Sequence, residues 1–516
     1  MTRDSDSRLT RRGVLQHGGA AVAAALPSST ATGAQPVGPV MAALSTYMSE
    51  ARNRALPDNV IEKTKHHVLD TLAAMISGAE LLPGRAATGF ARSYGGARIG
   101  TVAGSDVLCG PIEAALANGV LAHADETDDS HAPSLSHPGC AVVPAALAVG
   151  EPLGIDGTHF LRAVALGYDI GPRVTMCLGV PALSRELHKS SHSIAGVFGA
   201  AAAAGCAAAL DVRQMRWLLD YTAQQSSGIA AWQRDSDHIE KAFVFGGMPA
   251  RSGVTSALLV RSGWTGIDDI LSGPDNFILA NAPNADPARL VEKLGERYEI
   301  IRTNIKKWSV GSPIQAPLDA LELLFKRRVF DAGEVRKVVV RLGIREASVV
   351  NNRDIPDICV QHMVAVMLID KTVSFNAAHD VPRMRDPAAL RERAKVELVP
   401  DAELEKRVRE AIVEVTLADG AMLNEHVRAV RGTADNPMPR DEVVAKCRDL
   451  LTPVLGPAKS AELIERVLGL ERVGDIRELR PLLQKASQAA QGGPGFRRRS
   501  IRATLDRWRA ASWRPS

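Results

Sequence analysis

Residues 123–139 read HADETDDSHAPSLSHPG and crowd four carboxylates, four hydroxyls and three histidines into seventeen positions. Three kinds of behaviour fit that mixture. Asp128, Asp129, His131 and His137 are the residue types of a divalent-metal site, but no HxH or HExxH spacing fixes two imidazoles on one helix face. A histidine or carboxylate beside a substrate moves protons, and neighbouring Asp128 and Asp129 raise each other's pKa or orient an imidazole. A solvated acidic loop is the plain alternative.

Three more clusters bear on the choice. In LHKSSHSIAGVFGAAAAAG, from Leu187 to Gly205, His188, His192 and three serines lead into a glycine- and alanine-rich run. The N-terminus of a helix there offers N–H groups to a carboxylate, unless the serines merely cap it. Lys241 precedes a glycine turn in HIEKAFVFGGMPARSG, and Lys306 and Lys307 precede another in NIKKWSVGSP. Lysines of this kind usually sit on the surface. Two of them beside turns, joined by histidines and an acidic loop, make a pocket for a small polycarboxylate.

The elements that must position these groups fall into two textures. From Val40 to about residue 280 the apolar spacing is helical; Val60, Ile61, Val68, Leu69, Leu72 and Ile76 share one face after a Pro57-Asp58-Asn59 start signal. After about residue 300, Glu334–Leu342 alternates as a strand and 356–370 reads as a helix. Residues 395–400 and a hairpin turning at Ala418-Asp419-Gly420 supply further strands. Helices return from Arg440. This predicts a helical domain over 38–290, an α+β domain over 300–430, a returning helical part over 431–490 and a basic tail over 491–516.

Bulk composition narrows the class. A chain of 516 residues exceeds one core. Aromatics are only 4%, so alanine, leucine and valine must fill the interior. The net charge of +4 and the lack of any recognition motif point away from nucleic acid. Six scattered cysteines form no CxxC pair and no disulfide framework. Arg11 and Arg12 precede a short apolar segment, Gly18–Leu26, and a small-residue stretch ending at Ala34. That is the layout of a twin-arginine signal peptide over 1–34, implying a bacterial protein exported folded to the periplasm. The longest inner apolar run, Ile194–Leu210, is too short to span a bilayer, so no membrane association is expected once the signal is removed.

Taken together, DTLAAMISGAE, the 123–139 stretch, GYDIGPRV, HSIAGVFGAAAAAG, EKAFVFGGMPARSG, the KKW segment and VEVTLADGAML resemble the MmgE/PrpD family over about residues 40–485. The resemblance implies a mainly α fold, a large helical domain built from both chain ends with a smaller α+β domain inserted. It further implies a homodimer and a site between the domains that uses neither metal nor organic cofactor. Members move a proton next to a carboxylate of a small di- or tricarboxylic acid. Water loss, as in 2-methylcitrate dehydratase, is the first expectation; epimerisation or decarboxylation on the same scaffold is the second.

His137 matches the family's active-site histidine, and Asp128 and Asp129 its paired acids. Glu126 stands where an aspartate is common and Ser130 where a threonine is. Lys241 and Lys306 match its lysines, and His188 and His192 compete for a second histidine. The family's cis-aconitate decarboxylases carry a tyrosine after the first strand of the second domain. Ile344–Asp354 holds none, which weighs against decarboxylation. Two readings from other classes stay open: an exported carboxylate-binding protein without catalysis, and a metal hydrolase.

Overall fold

A computed structural model describes residues 36–485 except Pro283 and Val408. The expected signal peptide and the basic tail lie outside the described residues. The first half is a stack of helices: α1 (Pro39–Glu50), α2 (Asp58–Gly78), α3 (Leu82–Tyr94), α4 (Pro111–Ala122), α5 (Gly139–Leu153), α6 (Gly157–Leu178), α7 (Ser191–Ala207) and α8 (Val212–Gln225). Next comes α9 (Ile239–Arg261), a continuous helix with a π turn at Phe243–Gly247. A two-stranded ribbon, β1 (Gly100–Thr101) with β2 (Leu108–Cys109), interrupts the helices. Strands of two residues are too short to show alternation, so the sequence gives no sign of them.

Small residues let these helices approach closely. Every residue of α7 is buried. Methyls added at Gly167 and Gly171 of α6 would collide with the backbone of α7, the first 2.7 Å from the Gly199 carbonyl oxygen. Helix α9 is long and apolar enough to cross a membrane, yet it is packed inside the stack against α4, α5, α7 and α8.

The later part adds α10 (Ser312–Arg327), β3 (Val335–Gly343), α11 (Ile344–Val350), α12 (Val360–Asp370), β4 (Val396–Asp401), β5 (Ala411–Leu417) and β6 (Met422–Val427). The strands form one sheet in the order β4-β3-β5-β6, with β3 and β4 parallel and the other pairs antiparallel. Residues of β5 alternate buried and half-buried, as a sheet with one covered face requires. Val338, Val340, Val413 and Val415 join Leu321, Leu324, Met363 and Met367 of α10 and α12 in one apolar cluster. The chain then turns back: α13 (Arg440–Leu455) and α14 (Pro457–Leu468) pack against α2 in the first half.

Helix α4 and the π turn of α9 meet at two glycines. A methyl on Gly119 would run into the Gly246 carbonyl oxygen, and one on Gly246 into that of Gly119. Gly246→Ala should destabilise the fold by about 1–3 kcal/mol through overpacking, seen as a lower urea midpoint at unchanged m-value. An unchanged midpoint would show that the two helices part without strain.

Candidate active site

The 123–139 stretch runs from the end of α4 to the start of α5 and is buried almost throughout. Its two adjacent aspartates do different jobs. Asp129 is structural in its contacts: Oδ2 faces His67 Nδ1 of α2 at 2.8 Å and accepts the Tyr168 hydroxyl of α6 at 2.5 Å. Its Oδ1 accepts the Gly139 N–H at 3.0 Å, placing a negative charge at the start of α5. Burial drives His67 down to about 4, so that imidazole is neutral and donates through Nδ1.

Asp128 holds two imidazoles at once. His123 Nδ1 lies 2.9 Å from one carboxylate oxygen and His137 Nδ1 lies 3.1 Å from the other. Burial pushes Asp128 upward, but the two histidines outweigh it and keep the carboxyl well below its usual range. An ionised carboxylate makes Nδ1 the protonated nitrogen of each ring, so each Nε2 lone pair points away from Asp128. Burial also lowers His137 from its ordinary 6.5, with Asp128 opposing in part. His192, in the first turn of α7, stacks on Phe245 at 3.8 Å, and its ring lies 5.3 Å from that of His137. His123 stacks on the same Phe245 at 4.5 Å.

Cations meet the loop from several elements. Lys306 Nζ donates to the Glu126 carbonyl at 2.6 Å and lies 3.7 Å from both the Glu126 and Asp128 carboxylates. Lys241 pairs directly with the Glu126 carboxylate. Burial would raise Glu126, and the two lysines together hold it well below its usual range. Lys446 of α13 reaches Asp70 of α2 at 2.5 Å and the Thr127 carbonyl at 3.0 Å. Ser130 pairs by backbone with Asn304, two residues before Lys306, and its hydroxyl accepts from Arg409 at 2.9 Å.

The structure therefore gathers Glu126, Asp128, Asp129, Ser130, His137, His192, Lys241 and Lys306 around one loop. Of the two competing histidines, His188 stands apart from the loop. Ser190 caps α7, so the first helical turn carries His192 inward, while His188 lies before the cap in an exposed left-handed turn with φ 52°. His131 also turns away, towards Ser134 at 2.7 Å and Glu299 at 3.2 Å. The quartet weighed as a metal site thus does not converge.

Two other triples have ligand atoms mutually within 4.8 Å: His123, Asp128 and Cys140, and His123, Glu126 and His238. Burial holds the Cys140 thiol well above its ordinary pKa, so it stays protonated and ligates poorly. In the second triple both Nε2 atoms are unpartnered, but Glu126 is already neutralised by two ammonium groups.

Several residues escaped the sequence reading. His123 lies five positions before Asp128, inside the opening stretch, and was the easiest to find. Tyr168, His67, Phe245 and Lys446 reach the loop only through the packing of separate helices. So does His379, whose Nδ1 donates to the Phe375 carbonyl at 2.8 Å while Nε2 faces Asp125 at 2.9 Å. Both partners are acceptors, so the ring carries both protons as an imidazolium.

Burial opposes that charge, but Asp125 prevails and raises His379 from 6.5 to about 9. A raised folded pKa contributes stability that is complete below 6.5 and is lost as pH rises through about 9. Between those limits the protein should lose on the order of 2 kcal/mol more stability than His379→Gln, measured by urea unfolding across the range. Parallel pH curves for the two proteins would remove the imidazolium assignment.

Residues 42–289 match the MmgE/PrpD N-terminal domain and residues 308–471 the MmgE/PrpD C-terminal domain. A cis-aconitate decarboxylase-like protein of Aspergillus oryzae is 25% identical over 488 residues, covering 88% of this chain and 99% of its own. Cis-aconitate decarboxylase of Aspergillus terreus is 25% identical over 465 residues, covering 83% and 92%. The human cis-aconitate decarboxylase is 25% identical over 458 residues, covering 84% and 92%. With both domains matched in order along the helical and sheet-bearing parts, the chain belongs to the MmgE/PrpD family.

Proposed function

We propose that this protein is a lyase of small di- or tricarboxylic acids that works by proton transfer next to a carboxylate. One observation carries the reading: a single buried carboxylate, Asp128, holds His123 and His137 through Nδ1 and leaves their Nε2 atoms free, beside buried Lys306 and half-buried Lys241. His137 is the proton-transfer group because its ring is lowered by burial and so neutral near pH 7. Lys306 and Lys241 stabilise charge that builds up on the substrate during proton transfer.

Two eliminations fit these groups. In decarboxylation of an unsaturated tricarboxylate, the electron pair of the breaking carbon–carboxylate bond forms a new double bond to the near alkene carbon as carbon dioxide leaves. The original π pair moves to the far alkene carbon, which takes its proton from the minor, protonated form of His137. In dehydration, neutral His137 takes the α-proton and an ammonium group of the site protonates the departing hydroxyl, because burial and the neighbouring cations hold His192 well below its ordinary 6.5 and leave it neutral. The relatives named above favour the first. The missing tyrosine in Ile344–Asp354 favours the second, which was the first expectation from sequence. Export and a homodimer complete the reading.

In deuterated water with cis-aconitate, the decarboxylation product should carry one deuterium on the newly protonated carbon; recovered hydroxy acid labelled at the α-carbon would indicate dehydration. His137→Ala should cut turnover by about 10²–10⁴-fold. A polycarboxylate that binds yet neither turns over nor exchanges would leave the protein a binding protein only.

For the dehydration arm, which needs a neutral base, the lowered His137 pKa also fixes a sign. The acid limb of kcat/KM should lie below pH 6.5, and a limb above it would show that His137 is not the base. Changing Arg11 and Arg12 to Lys should retain the precursor in the cytoplasm on fractionation; unchanged export would refute the twin-arginine route.

A further inference from the structure

The cations around the 123–139 loop are not equivalent. Lys241 and Lys306 face Glu126 and Asp128, Lys446 faces Asp70, and His379 faces Asp125. Arg409 differs. Among the described residues its guanidinium enters no ion pair, and its one side-chain hydrogen bond is from Nη1 to the Ser130 hydroxyl at 2.9 Å. Most of its five N–H donors are therefore uncommitted.

Its backbone is unusual as well. Arg409 has φ 59°, a left-handed conformation that a long side chain adopts at a cost and that glycine would adopt freely. It lies in the segment between β4 and β5, so the sheet-bearing part of the chain delivers it to a loop of the helical part.

Burial disfavours its charge, and nearby Glu126 and Glu346 offset this only in part. Glu126 is already claimed by two lysines. Burial pushes Glu346 up to about 7, so it is not a full counter-charge either. A cationic fork with a hydroxyl beside it and no carboxylate partner is arranged to receive one.

We infer that Arg409 and Ser130 form a carboxylate-binding subsite of the candidate active site, taking a carboxylate of a small polycarboxylic acid other than the one at the reacting carbon. This rests on the lyase reading above. It also adds a cation to the site: Lys241 and Lys306 have carboxylate partners within the protein, whereas Arg409 has none among the described residues.

The test uses tricarballylate, a saturated tricarboxylate that cannot react, and calorimetric titration of the full-length protein. Arg409→Met should raise its Kd by about tenfold or more, the loss of a charge-assisted pair. Arg409→Lys, which keeps the charge but not the fork, should fall between. Arg213→Met, at an exposed arginine paired with Asp268, should bind as the unaltered protein does.

The inference is overturned if Arg409→Met binds normally, or if Arg213→Met weakens binding equally, which would make the effect general electrostatics. Should Arg409→Met not fold, Arg409→Lys decides: unchanged affinity overturns the subsite. If the unaltered protein binds tricarballylate without turning over or exchanging any polycarboxylate, the lyase reading fails while the subsite stands. If it binds no polycarboxylate at all, both fall together.

Discussion

Four carboxylates between Asp125 and Asp129 are held out of water, and each has to be matched by a proton donor or a cation. No local segment supplies so many partners. Asp129 takes His67 from α2, Tyr168 from α6 and the first N–H of α5. Asp128 takes His123 and His137 from the two ends of its own loop. Glu126 takes Lys241 from α9 and Lys306 from the segment before α10, and Asp125 takes His379. Much of the tertiary arrangement is a means of bringing these partners to one short stretch of chain.

The same constraint explains why the chain returns to its beginning. Lys446 on α13 bridges Asp70 of α2 and the Thr127 carbonyl of the loop, so a residue more than three hundred positions downstream fixes the backbone beside Asp128. Close packing makes this convergence possible. Alanine and glycine faces on α6, α7 and α9 bring backbones together, leaving room for few aromatic rings. Phe245 is one of those few, and its ring is the surface on which His123 and His192 lie.

Asp128 and Asp129 are chemically identical neighbours with different consequences. Asp129 is used up in holding three elements together. Asp128 orients two imidazoles whose other nitrogens remain free, the arrangement on which the proposed proton transfer rests. Arg409 is the complementary case, a half-buried cation that enters no ion pair among the described residues.

The helical first half, the alternating strands and the hairpin at Ala418-Asp419-Gly420 follow from periodicity, because apolar residues must repeat with the element that buries them. The type and spacing of residues in 123–139 marked the loop as chemical. Sequence left open which groups belong to it. His188 and His192 are four positions apart, and only the cap at Ser190 decides that His192 turns inward. Lys241 and Lys306 stood out beside their glycine turns, but their engagement with Glu126 is a tertiary fact. His67, Tyr168, His379, Arg409 and Lys446 carry no local signal, since their partners lie dozens to hundreds of residues away in the chain. The sequence by itself determined the long helices and the strands of the larger sheet and singled out the 123–139 loop; the three-dimensional packing decided which charges are paired and which remain free, because pairing depends on distances that sequence separation does not set.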